Sequence, residues 1–275
     1  MNAWLSTNGG SWWSYAFMRH ALIAVMLVSP LFALIGGLAI NHRMAFYADA
    51  IGHAALTGVA IGVLLGLPNP ASAILAFSVL LAVLITVFRW KSAAPTDAVI
   101  GLTMSIAVAA GLVILSRGGQ FGRYMPLLIG DILTLTTVDL VRLAVLGLLT
   151  FLTALRFFNA VFLTTLNPSL ALSRGIPVRS LELGFAVFVA AVVALCIPWL
   201  GLLVVNALLI LPAAAARNVA RSAGAYFLLS VLFGWAAGLI GLWASFRFDT
   251  AAGPTLVLAG GVLYLLTLLI RALRA

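Results

Sequence analysis

Apolar residues follow one another in long runs from residue 17 almost to the C-terminus, and polar residues collect in short clusters between them. The clusters fall at His42-Arg43, Leu67-Pro68-Asn69-Pro70, Arg89 to Asp97, Arg117 to Arg123, Arg156 to Arg179, Pro198, Arg217 to Gly224 and Arg247 to Pro254. A helix needs about 20 predominantly apolar residues to cross a bilayer. On that measure the pattern predicts nine spans, over 20–40, 45–66, 71–89, 98–116, 138–157, 181–197, 199–216, 225–245 and 255–272. Residues 1–16, with Trp4, Trp12 and Trp13, read as an interfacial segment leading into a retained first span. The apolar stretch 124–137 is too short to cross and reads as a short or re-entrant helix, with Asp131 as a candidate cap. The whole chain, 1–275, reads as a single transmembrane domain, all-α, a polytopic helical bundle of eight or nine spans.

Composition agrees with that pattern and excludes a soluble domain: 64 % of the residues are hydrophobic, 8 % are charged, and the mean hydropathy is +1.23. In a soluble chain a net charge of +9 would point to nucleic acid, but here the cations sit mostly at the ends of apolar runs, so nucleic acid is not expected. Placing the Arg156 to Arg179 segment in the cytoplasm puts ten Lys and Arg inside and five outside. The positive-inside rule then predicts the N-terminus outside and the C-terminus in the cytoplasm. Lone Cys196 allows neither an intrachain disulfide nor a paired-cysteine metal site.

Against this background YADAIGHAALTG, residues 47–58, stands out, because it brings Asp49 and His53 into an apolar run. Four residues apart on a helix, they present a carboxylate oxygen and an imidazole nitrogen on one face. The plain alternative is an Asp–His hydrogen bond that satisfies both groups. Intramembrane ionisable residues are costly and usually face a transport path, and a mixed oxygen and nitrogen donor set suits zinc or manganese. Ala54, Gly58, Gly62 and Gly66 form a ridge of small residues at spacing four, suited to close packing on a neighbouring helix. Asn206 interrupts the apolar run 201–216 and is a possible third polar group facing the same lumen. His20 and His42 read as ordinary histidines at span ends, Asp97 as a helix cap and Glu182 as a helix-start carboxylate.

NPSLALSRGIP, residues 167–177, carries its own punctuation: Asn167 as cap, Pro168 at the first helical position, Gly175 for a left-handed ending, and Pro177 to stop it. It reads as a short helix that either lies on the membrane surface or docks on a partner. The chain has no nucleotide-binding G-x-x-x-x-G-K-[ST] and neither H-E-x-x-H nor G-x-S-x-G, so an enzyme is not expected.

DAIGH at 49–53 followed by AALTGVAIG resembles the D-A-x-S-H-x-x-L-P-G stretch of the permeases of zinc, manganese and iron ABC importers, the ABC-3 family. LLIGDILTLTTVDL at 127–140, GLLVVNALLILPAAAAR at 201–217 and FDTAAGPTLVLAGG at 248–261 resemble its later signatures. The resemblance implies a bundle of the vitamin B12 permease-like, type II importer fold in the bacterial inner membrane. It implies a homodimer seated on a cytoplasmic ATPase that binds the ATP, fed by an extracytoplasmic metal-binding receptor, and surrounded by membrane lipids.

On that resemblance Asp49 and His53 are ligands of the transported ion, expected to be zinc, with manganese or iron as alternatives, and the chain itself binds no resident cofactor. A proton-coupled secondary transporter is the alternative of another class. Asn167, Pro168, Ser169, Leu170, Ala171, Leu172, Ser173, Arg174 and Gly175 fall on the family's coupling helix, the element that docks on the ATPase and is expected over 167–176. The chain departs from the family at Gly52 and Asn206, where Ser is usual, at Thr57, where Pro is usual, and at Asn167, where Asp is usual.

Overall fold

The computed structural model describes residues 12–42, 44–67, 71–118 and 131–274. Ten α-helices account for most of it: α1 (Ala16–Asn41), α2 (Tyr47–Leu64), α3 (Ala71–Lys91), α4 (Thr96–Gly118), α5 (Thr137–Leu166), α6 (Pro168–Ser173), α7 (Val178–Leu200), α8 (Leu202–Val219), α9 (Ala223–Phe248) and α10 (Ala252–Ala272). All but α6 are long and apolar enough to cross a membrane, so the nine expected spans are the nine found among the described residues.

The fold is an all-α polytopic bundle with α1, α2, α7 and α8 at its centre and α5 and α10 at its rim. α1 packs on α5, α8 and α9, and α2 packs on α3, α4, α7 and α8. Burial follows from that placement. α10 buries only the stripe Ala252, Leu256, Gly260 and Thr267, one face at helical spacing. α2 buries nearly its whole circumference.

Backbone approach sets how tightly the central helices cross. A Cβ on Gly36 would lie 1.8 Å from the Leu209 carbonyl oxygen, and one on Gly58 2.7 Å from Ile74 Cα, so glycine is what lets α1 meet α8 and α2 meet α3. Gly111 of α4 likewise faces the Thr57 backbone, where a Cβ would stand 2.8 Å from Thr57 Cα. Gly62 is buried too, but the ridge stops there. Gly66 is exposed at φ 66° and closes α2, with Leu67 N–H donating to Gly62 O at 2.9 Å.

Several boundaries differ from the sequence reading. α5 continues through Arg156 to Leu166, because a 30-residue helix is about 45 Å long and outruns the bilayer core. α7 runs through Pro198, and the break falls at Gly201, whose φ of 82° leaves the helix. Asp97 lies in the first turn of α4, not ahead of it. Asp131 caps a 3₁₀ turn at Ile132–Thr134, accepting from Leu133 N–H at 2.9 Å. The rest of the expected short helix, residues 124–130, lies outside the described residues, as do Trp4, Arg43 and Arg123. Trp12 and Trp13 form a 3₁₀ turn ahead of α1.

α2 begins deep in the bundle. Tyr47, the buried first residue of α2, donates through Oη to the carbonyl of Ala186, eight residues into α7, at 3.1 Å. Irregular backbone at such depth survives only where protein or water satisfies it. In the 42–46 connector, Met44 N–H donates to Ala39 O at 2.9 Å and Met44 O accepts from Tyr47 N–H at 3.1 Å.

Candidate metal path

Asp49 lies in the first turn of α2 and His53 one turn further on. His53 Nε2 is 3.5 Å from Asp49 Oδ1, and the side chains are 48 % and 36 % exposed. Between Tyr47 and Ala60 every other residue of α2 is buried, so the helix opens only where it is polar. This pair is left facing open space.

The structure brings the third expected group to the same point. Asn206, in the second turn of α8, donates through Nδ2 to Asp49 Oδ1 at 2.6 Å. Its own Oδ1 is buried without a hydrogen-bond partner. Turning the amide over would set one oxygen against the carboxylate, so the donor faces Asp49 while the orphaned acceptor marks an unmet demand. Gly52 makes this approach possible: a Cβ there would stand 1.9 Å from Leu202 Cδ1 and 3.8 Å from Asn206 Nδ2. The small residue at 52 and the longer amide at 206 therefore fit together. Thr57 Oγ1 donates to the Ala107 carbonyl at 2.5 Å, so α2 stays helical and is bolted to α4 at that position.

Two side chains of metal-binding type meet here, and no group of three or more His, Cys, Asp or Glu occurs among the described residues. Buried Cys196 is not part of it.

At the α6 end of the bundle, Asn167 caps α6 by accepting from Leu170 N–H at 3.0 Å, and Pro168 follows at the first helical position. Ile176 N–H returns to Ala171 O at 3.0 Å, and Gly175 has φ 73°. Only Ala171 of α6 is buried, so the helix is presented outward. Glu182, on the adjoining α7, accepts from Arg89 at 3.0 Å and from Trp90 Nε1 at 3.1 Å, which ties α3 to α7.

The two histidines read from sequence as ordinary span-end residues are engaged. His20 Nδ1 lies 2.9 Å from the Leu135 carbonyl, and His42 Nε2 meets Thr165 Oγ1. The sequence carried no signal for either pairing, since the partners are 115 and 123 residues away.

The model of the ABC 3 transport family matches residues 14–271. The chain belongs to that family. It is similar to the manganese import system permease protein ScaB of Streptococcus gordonii, 30 % identical over 93 % of this chain and 92 % of that one. It is also similar to the high-affinity zinc uptake system membrane protein ZnuB of Haemophilus influenzae, 29 % identical over 92 % of this chain and 97 % of the relative. Among solved structures, PsaBC from Streptococcus pneumoniae in complex with Fab superposes with a TM-score of 0.79 at 29 % identity, covering 93 % of this chain and 92 % of that one. The expected membership and the polytopic permease fold are thus those found, whereas the relatives named for manganese and for zinc leave the metal open.

Proposed function

We propose that this chain is the permease subunit of an ATP-binding cassette importer, passing a divalent transition metal through the membrane by alternating access. The observation that carries this reading is the opening in α2: of a helix otherwise packed on all sides, Asp49 and His53 alone stay accessible in its first two turns. A carboxylate oxygen and an imidazole nitrogen suit a divalent transition metal, and so small a ligand set releases what it holds. Family membership and the named relatives support the same reading. The chain acts as a homodimer in the bacterial inner membrane, with α6 on the cytoplasmic side docking on a separate ATPase and a metal-binding receptor delivering from outside. The N-terminus is then outside and the C-terminus in the cytoplasm.

Zinc is the first candidate cargo. Manganese is a second reading, favoured by Asn206, which adds amide functionality beside the carboxylate where no thiolate is present. The deciding experiment is metal-resolved uptake into proteoliposomes holding the permease and its ATPase, for wild type, Asp49→Ala and His53→Ala. ATP-dependent uptake of one metal, lost in both variants at normal expression, is expected. Uptake by the permease alone, driven by a proton gradient, would make the chain a secondary transporter.

A further inference from the structure

His42 occupies the connector between α1 and α2, five residues before the helix that carries Asp49 and His53. Two contacts on His42 and one on Tyr47, the first residue of α2, come from the two helices that flank α6. From α5, Thr165 meets His42 Nε2 through Oγ1, and the same hydroxyl donates to the Val161 carbonyl at 2.8 Å. A threonine hydroxyl has one proton; in the arrangement where it goes to Val161, Nε2 of the imidazole carries a proton and donates to Thr165. From α7, Phe185 faces the His42 ring at 5.2 Å between centroids, and the next residue, Ala186, accepts from Tyr47 Oη at 3.1 Å. Burial lowers the affinity of His42 for a second proton, which keeps the ring neutral and suited to this single-donor role.

α6 is joined to both of those helices with almost no slack. Thr165 lies two residues before the Asn167 cap, and Asn167 N–H still donates to Leu163 O at 2.9 Å, so α6 grows directly out of the last turn of α5. At its other end the chain passes through Gly175 and Pro177 straight into α7. A push on α6 therefore reaches the end of α5 and the start of α7 together. Both of these grip the connector that leads into the first turn of α2.

We propose that His42 is the positioning residue that transmits movement of α6 to Asp49 and His53, with the Thr165 hydroxyl as its handle. The inference rests on the ATPase-driven reading above and adds how the ATPase stroke reaches the ion. Without the His42–Thr165 contact the ATPase still binds α6 and turns over, but the α2 pair no longer follows it.

The test reconstitutes the permease with its ATPase and measures uptake of zinc and of manganese, each alone, together with ATP hydrolysis in the same vesicles. In Thr165→Val, metal moved per ATP falls at least about fivefold while hydrolysis stays within about twofold of wild type, the scale of an ordinary coupling between sites. Thr165→Ser, which keeps the hydroxyl, restores the ratio. His42→Leu reproduces the loss, and the double variant His42→Leu/Thr165→Val is no worse than either single one, since both remove one contact. Uptake and hydrolysis falling in proportion, or an unchanged ratio in both single variants, or additive losses, would overturn the inference and leave the functional reading intact. A wild-type protein with no ATP-dependent uptake of either metal would sink the functional reading itself, and this inference with it.

Discussion

From Tyr47 to His53, α2 turns a carboxylate and an imidazole toward open space, whereas at Thr57 and Gly58 the same helix is pressed against α4 and α3 so closely that a methyl group does not fit between them. One end has accessible polar groups on a single face, with Tyr47, Ala48, Ala50, Ile51 and Gly52 buried around the rest; the other has backbone contact and no exposed polar atom. In the proposed role the helix gives up burial only on the face that presents the pair, and the neighbouring half adds anchorage. In the first half the two demands are divided around the helix, and the second half is given wholly to packing.

That division can be tested by injuring each half in turn. Gly58→Leu forces a side chain into the Ile74 backbone, and overpacking against backbone that cannot yield costs at least about 1–3 kcal/mol. Folded protein recovered by size-exclusion chromatography should drop steeply, and a normal yield would show that α2 and α3 separate without penalty. Asp49→Ala and His53→Ala should do the opposite, abolishing metal uptake while leaving the yield and thermal midpoint of the detergent-solubilised protein at wild-type values. A variant of either residue that misfolds would mean that the polar half bears weight as well.

Asn206→Leu removes the donor that orients Asp49 without touching the ligands, and partners of this kind are typically worth 10–100-fold in metal affinity. Titration of the purified variant with zinc and with manganese should show a loss in that range, unequal for the two metals. Thr57→Val keeps the shape and deletes the hydrogen bond to Ala107, for a loss of about 1 kcal/mol in stability and none in uptake per folded molecule.

The smallest effect concerns pH. Burial holds His42 below its ordinary value, so the unfolded chain binds a proton more readily than the folded one. The stability this contributes is present above about pH 6.5 and is lost as the pH falls toward the lowered folded value. The thermal midpoint should therefore decline on acidification, and less steeply in His42→Gln.

The spans were legible because the bilayer imposes both length and apolarity on any helix that crosses it, and no alternative use of nine such runs exists. Asp49 and His53 were legible for a local reason: spacing four puts them on one face whatever the rest of the chain does. Their surroundings were less so. Asn206 could be nominated as an intruder in an apolar run, but its bond to Asp49 spans 157 residues and depends on how α8 crosses α2. The His42–Thr165 contact is of the same kind, joining two residues that are unremarkable where they stand. Helix ends were misjudged where a usual signal was outweighed, as at Arg156, carried inside a helix longer than the membrane, and at Pro198, held helical by the buried Ile197 and Leu200 beside it.

Asp49 sits in the first turn of α2, where the aligned peptide dipoles leave about half a positive charge. That field steadies a bare carboxylate, and it opposes any cation the carboxylate receives. The same two groups placed in the middle of the helix would hold an ion longer. In the proposed role, setting them at its start shortens the ion's dwell time, trading grip for turnover.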